Sequence, residues 1–296
     1  MRCPVLAMAL LLLARPAAGA PPPGQSALLN GMHDIEALGW MKGATSGCDR
    51  GWITDLRYIG TSGKPAAACH AGANAAGISV IQRLDASGTE SFPKNTSQAA
   101  GYASAFASYA SQCPNLHVWI VGNEPNFTFN NSDPDCSSAA YAASYVAVHH
   151  KLHALPGHKN DLVLAAPNSP YSPGCLHSLR MIIDAIKAKG VTPDGFALHA
   201  YTRAGSGGAL GPGHVTSTKT QTDVTIDQCP GGATWSDTWH SHFRIYKDYI
   251  KVIESRGLAG RPVFITESGN ACSVSPKGNA CYPDKNIGYF QALYAE

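Results

Sequence analysis

The chain has 296 residues; Lys and Arg contribute 22 and Asp and Glu 20, so charged residues are 14% of the chain against 44% hydrophobic. That balance argues against disorder, which needs high charge and little apolar surface to bury. A formal net charge of +2 with no basic run argues against nucleic-acid binding.

Residues 1–20 read as a secretory signal peptide. Arg2 supplies the positive start, Val5 to Leu13 the apolar run, and Ala17-Ala18-Gly19-Ala20 the small residues for cleavage. The run is too short to span a bilayer, which takes ~20 residues. Losing Arg2 and Arg15 with it would bring the formal charge from +2 to neutral. Residues 21–26 are a Pro-rich linker, and 27–296 form a single domain. The expectation is a secreted or periplasmic protein with no membrane segment once the signal is removed. The oligomeric state is not set by the sequence.

From residue 28 onward, short apolar runs alternate with Ala-rich or amphipathic stretches. Strands are expected at 28–33, 52–59, 78–84, 117–121, 162–166, 195–199 and 263–266. Helices are expected at 99–112, 139–153, 176–189 and 238–256, the last beginning after Ser236-Asp237 as an N-cap. Alternation of this kind predicts a parallel sheet covered by helices. An open nucleotide-binding sheet would carry a Gly-rich phosphate turn after its first strand, but the chain there reads Asn30-Gly31-Met32-His33-Asp34. Polar residues sit instead after several different strands, the habit of a (β/α)8 barrel. The α/β pattern stops one unit short, so the expectation is a (β/α)8 TIM barrel truncated before the eighth strand.

Nine cysteines are present, and Cys3 falls in the signal. The remainder, Cys48, Cys69, Cys113, Cys136, Cys175, Cys229, Cys272 and Cys281, form an even set, which in an exported chain suggests disulfides. Only Cys272–Cys281 is close enough in sequence to be paired by inspection.

Two segments carry the chemistry. In His117-Val118-Trp119-Ile120-Val121-Gly122-Asn123-Glu124-Pro125, a buried strand runs straight into Asn-Glu-Pro. In Pro262-Val263-Phe264-Ile265-Thr266-Glu267-Ser268-Gly269, another strand runs into Glu and a Gly turn. Two glutamates at the C-terminal ends of parallel strands can face one another across a barrel mouth. Paired carboxyls are what glycosidic cleavage needs: one protonates the leaving oxygen, the other meets the cationic sugar. The sixth strand adds His199-Ala200-Tyr201.

With Asn123-Glu124-Pro125 on the fourth strand, Glu267 on the seventh and His-x-Tyr between them, the sequence resembles the clan of retaining TIM-barrel glycoside hydrolases. The resemblance implies that Glu124 is the acid/base and Glu267 the nucleophile. It implies further that Asn123 bonds a sugar hydroxyl, Tyr201 holds the nucleophile and His199 lines the sugar site. His33 and Asp34, ending the first strand, add to that site. The clan often carries an Arg late in an early strand, for which Arg57 and Arg83 both qualify. The implied activity is hydrolysis of an extracellular poly- or oligosaccharide with no cofactor and no metal. The alternative is a catalytically inactive barrel that only binds carbohydrate.

The remaining signals are weaker. His149 and His153 are one helical turn apart and could share a metal, but a solvated basic face is the plainer reading. The loop after the sixth strand, 202–234, is long enough to shape specificity. Trp235 is a candidate sugar-stacking residue, whereas Trp239 reads as an anchor for the helix that follows. Glycosylation sequons begin at Asn95, Asn126 and Asn130. Asn126 lies so close to Glu124 that a glycan there would crowd the cleft, so it is expected to be unmodified.

Overall fold

The computed structural model describes residues 31–33, 51–70, 73, 77–126, 138–165, 167–170, 174–202, 212–226, 234–270 and 296. In chain order they form β1 (Gly31–His33), β2 (Gly51–Tyr58), β3 (Ile78–Asp85), α1 (Ala99–Ala110), β4 (Val118–Val121), α2 (Ala139–His153), β5 (Leu162–Ala165) and α3 (Cys175–Ala188). Then follow β6 (Gly195–Thr202), the short α4 (Pro212–Thr216), β7 (Thr220–Ile226), β8 (Thr234–His240), α5 (Ile245–Ser255) and β9 (Val263–Asn270).

Seven strands make one sheet in the order β1-β2-β3-β4-β5-β6-β9, every pair parallel. β3 and β4 are buried along their whole length, as a sheet covered on both faces requires. The sheet curls. Trp52 of β2 meets Phe264 of β9 edge-on, ring centroids 5.2 Å apart, and Cα atoms of β1 and β9 approach within 8 Å with no ladder between them. Strands stand about 4.8 Å apart, so an intervening strand would need roughly twice that spacing. The architecture is a curled α/β half-barrel, consistent with the expected barrel truncated before its eighth strand.

The helices follow from their sequences. In α1, alanine supplies propensity, while Tyr102, Phe106 and Tyr109 recur on one face and are buried. In α2 the buried face is Tyr141, Tyr145, Val148 and Leu152. Trp119 of β4 is enclosed by the rings of Phe106 and Tyr109. Gly195 opens β6 because nothing larger fits: a Cβ there would lie 2.7 Å from the Pro262 carbonyl and 2.8 Å from Leu164 Cδ2.

One expected element is wrong. Residues 238–256 are not one helix, and the stretch before them is not simply a loop. β7 and β8 form an antiparallel ribbon, and α5 starts only at Ile245. The alternation Thr234-Trp235-Ser236-Asp237-Thr238-Trp239 is a strand period, built of residues that favour strands. Asp237, expected to begin the helix, instead makes a bidentate pair with Arg180 of α3, at 2.9 and 2.6 Å. The acid that serves the helix start is Asp248, which accepts the His240 backbone N–H and Nδ1, each at 2.7 Å. Trp239 is buried, as expected for an anchor.

Cys69 and Cys113 are joined in a disulfide that ties the segment after β2 to the end of α1. Cys175 stands as a buried thiol against Tyr249, so not every cysteine is bridged. The 1–20 and 21–26 segments, Cys272–Cys281, Asp34 and Asn130 lie outside the described residues. No helix among the described residues is long and apolar enough to cross a membrane.

Candidate active site

β4 delivers Glu124 through an abrupt exit from the strand. Gly122 has φ +71°, and a Cβ on it would lie 2.9 Å from the Ser91 carbonyl. Glu124 itself has φ +38°, a left-handed conformation that L-residues with a Cβ adopt at a cost of roughly 1–2 kcal/mol. Ser91 Oγ donates to the Asn123 carbonyl at 2.6 Å and holds this turn.

β9 delivers Glu267 through a bulge. Leu198 pairs with Ile265, but His199 pairs with Glu267, leaving Thr266 as the extra residue. A bulge re-aims the side chains beyond it, and here it sets Glu267 beside His199. Glu267 is therefore inside the strand, not after it as expected.

His199 connects the two carboxylates. Its Nδ1 lies 2.8 Å from Glu124 Oε1, and its Nε2 lies 3.3 Å from Glu267 Oε1. The imidazole side chain is 1% exposed, while those of Glu124 and Glu267 are 17% and 16% exposed. Solvent thus reaches both carboxylates, and the ring is sealed beneath them. Burial opposes protonation of His199, but the Glu267 charge and the hydrogen bonds to Glu124 and Glu267 outweigh it and raise its pKa to about 9.

Glu267 has further partners. Arg83 Nη1 donates to its Oε1 at 2.8 Å and to Asn123 Oδ1 at 3.0 Å. Tyr201 Oη donates to Glu267 Oε2. One guanidinium thus joins β3, β4 and β9, and Glu124, Glu267, Asn123, His199 and Tyr201 converge in one cluster. Asn123 therefore faces Arg83, and His199 lies under the carboxylates instead of lining an open sugar site.

Strand alternation separates the two arginines. Asp55 and Arg57 share a face of β2, where Asp55 accepts from Arg57 Nε at 2.9 Å, lies 2.8 Å from His70 Nε2 and accepts from Gln82 Nε2 at 3.1 Å. Gln82 in turn accepts from Tyr109 of α1, so this face looks outward to the helices. Arg83, one residue on, looks inward to the site.

Asp85 is a site residue that the sequence reading missed. It shares the face of Arg83, its Oδ1 3.5 Å from Arg83 Nε. Burial raises its pKa to about 7; the Arg83 charge opposes this and the Glu267 charge adds to it. The period-two spacing Arg83-Leu84-Asp85 could have pointed to it.

Three further expected site residues have no described side chain. His33 ends β1, and Trp235 sits in β8 opposite Thr225; neither side chain is among those described, and Asp34 lies outside. Asn126 Nδ2 donates to the Ser169 carbonyl at 2.9 Å and its Oδ1 accepts from Ser169 N at 2.7 Å. Its amide nitrogen is thus engaged within the fold.

His149 and His153 do not form a solvated basic face. They turn toward Asp194 and are only partly exposed, at 17% and 23%. The residue beside them, His150, is the exposed one.

No protein-family model matches the sequence, nor does any curated protein. Among solved structures, the chain is similar to a GH128 (subgroup III) curdlan-specific exo-beta-1,3-glucanase from Blastomyces gilchristii in complex with glucose. There the identity is 14% and the TM-score 0.40, over 81% of this chain and 75% of that one. It is also similar to the GH39 enzyme from Xanthomonas axonopodis pv. citri, at 15% identity and TM-score 0.46, over 86% of this chain and 53% of that one. A third is a monomeric beta-xylosidase from Caulobacter crescentus, at 15% identity and TM-score 0.44, over 83% and 52%. The matched region spans about half the length of the last two proteins.

Proposed function

We propose that the chain is a retaining glycoside hydrolase acting on an extracellular poly- or oligosaccharide, with Glu267 as nucleophile and Glu124 as acid/base. The observation that carries this reading is that a single buried imidazole touches both strand-end carboxylates. Retention is carried over from the resemblance of the two glutamate segments to the retaining clan; retaining pairs stand ~5–5.5 Å apart and inverting pairs ~6.5–9.5 Å apart.

The surroundings divide the labour. Glu267 is held by a cation and a phenol, partners that favour a carboxylate and fix it for attack. Glu124 is met by His199 Nδ1 at 2.8 Å and is given the proton-transfer role. In the first step a Glu267 oxygen bonds to the anomeric carbon. The bond to the leaving oxygen breaks as Glu124 donates its proton there. In the second step water attacks that carbon, Glu124 takes the water's proton, and the ester to Glu267 breaks. The carboxyls supply acid, base and nucleophile, so no cofactor enters the scheme.

The test is a panel of β-linked aryl glycosides with the wild type, E124Q and E267Q, each checked for folding by circular dichroism. Release of the aryl group by the wild type, its loss in both variants and retained anomeric configuration by NMR support the reading. Unchanged turnover in both variants, or an inverted product, refutes it. Sugar binding without turnover in the wild type would favour a carbohydrate-binding barrel.

A further inference from the structure

The opposite end of the sheet, where the strands begin, holds two histidine–aspartate clusters built very differently. In the first, Asp161 lies 2.7 Å from His117 Nδ1 and 2.7 Å from His158 Nδ1, and accepts from Trp119 Nε1 at 2.7 Å. These are charge-assisted hydrogen-bond lengths. A proton fills each gap, and no ion fits between the atoms.

In the second, the gaps are wider. His149 Nε2 lies 3.4 Å from Asp194 Oδ1, and His153 Nε2 lies 3.3 Å from Asp194 Oδ2. Both exceed the usual ~2.7–2.9 Å of a charged N–H···O bond. The two gaps end on different oxygens of Asp194; a zinc ion with arms of ~2.0–2.1 Å sets its ligand atoms roughly 3.3 Å apart, the scale of these gaps. The ligand atoms of the three residues lie within 4.8 Å of one another.

The scaffold suits such a site. His149 and His153 are on successive turns of α2 and face the same way, ring centroids 4.2 Å apart. They sit in its last turns, where the free carbonyls favour positive charge. Asp194 immediately precedes β6, and its Oδ2 accepts the Val163 N–H at 3.1 Å, which fixes the carboxylate. The Asp161 carbonyl lies 3.1 Å from His153 Nε2. The Nδ1 of His149 is buried without a hydrogen-bond partner. The three side chains are partly exposed, which leaves an entry path and an open coordination position.

We propose that His149, His153 and Asp194 bind a zinc ion at the N-terminal end of the sheet, fastening α2 to the start of β6. The site is separate from Glu124 and Glu267 and independent of the reading given for them.

The test uses the full chain, stripped with chelator and titrated with Zn²⁺ by calorimetry, with metal content measured after dialysis. The expected result is one zinc per chain, a melting temperature raised by zinc, and at least a tenfold weaker Kd in H149A and D194N. H150A and H117A should bind as the wild type does. Because a variant can fail to fold, the wild type is also loaded with Co²⁺, which should give the visible absorption of a tetrahedral N/O site. No zinc uptake by the wild type, unchanged affinity in folded H149A and D194N, or an octahedral cobalt spectrum overturns the proposal.

Discussion

The two ends of the sheet carry similar chemistry and treat it in opposite ways. At the strand starts, Asp161 is closed off by His117, His158 and Trp119, all at 2.7 Å. Burial works against its charge, but these bonds outweigh it and leave the carboxyl below its ordinary pKa. At the strand ends, polar atoms of Arg83, Asp85 and His199 are buried without full hydrogen bonding, Glu124 is held in a left-handed conformation, and His199 is forced to remain charged. A buried polar group normally finds its partners. Here Arg83 Nε faces Asp85 Oδ1 at 3.5 Å and His199 Nε2 faces Glu267 at 3.3 Å, longer contacts than those around Asp161. Asp161 is buried and tightly bonded, while Glu124 and Glu267 are reached by solvent.

This contrast is broken or sharpened by experiments that separate activity from stability. The largest effect is expected from E267Q, an activity loss on the order of 10⁴–10⁶-fold, as for removal of a member of a catalytic unit. E124Q should lose about 10²–10⁴-fold, the range of general acid–base catalysis. Both should stay folded by calorimetry, E267Q with a lowered melting temperature because Arg83 and His199 lose the charge they face. D161A should do the reverse. Stranding its buried partners costs about 3–5 kcal/mol, which in a chain of this size lowers the melting temperature by roughly 6–20 °C, with activity per folded molecule retained. An E267Q that unfolds, or a D161A that melts like the wild type, would undo the distinction.

Y201F removes one hydrogen bond to a charged group, worth about 1.5–3 kcal/mol. Turnover should fall by about 10–100-fold and the melting temperature by roughly 3–12 °C. The smallest effect is in pH. The folded pKa of His199 is raised to about 9 from 6.5, so its stabilising contribution is complete below pH 6.5 and is lost as pH rises through about 9. Asp161 has a lowered pKa, so its contribution is present above its ordinary value of 3.8 and lost as pH falls through the folded value. Alkali should therefore loosen the strand-end cluster and acid the strand-start cluster. Turnover of the wild type should decline near pH 9, and H199Q should lack that limb.

Much of this was legible in the sequence. Buried runs ending in Asn123-Glu124 and in Glu267 located the carboxylates, and Ala-rich stretches located α1 and α2. What could not be read was set by pairing between distant segments. The bulge at Thr266 exists only against β6, and it decides which side of β9 Glu267 takes. Arg57 and Arg83 look alike in sequence because both strands are covered on both faces, so hydropathy does not show which face is inward. The β7–β8 ribbon was missed because a cap-like Ser236-Asp237 outweighed a strand alternation, and Asp237 is explained only by Arg180, far away in the chain. The depth of His199 follows from two neighbours that reach it from other strands.

The tight exit at Gly122 has a consequence for how Glu124 tolerates change. Only a hydrogen fits on residue 122, because the Ser91 carbonyl blocks a methyl group, and the next turn is fastened by the Ser91 hydroxyl. The peptide bearing the acid therefore has no slack with which to advance or retreat. Replacing Glu124 by Asp would withdraw the carboxyl by one methylene, and the main chain could not follow to restore its reach to His199. Side-chain length at this position is thus fixed by the geometry of a neighbouring loop.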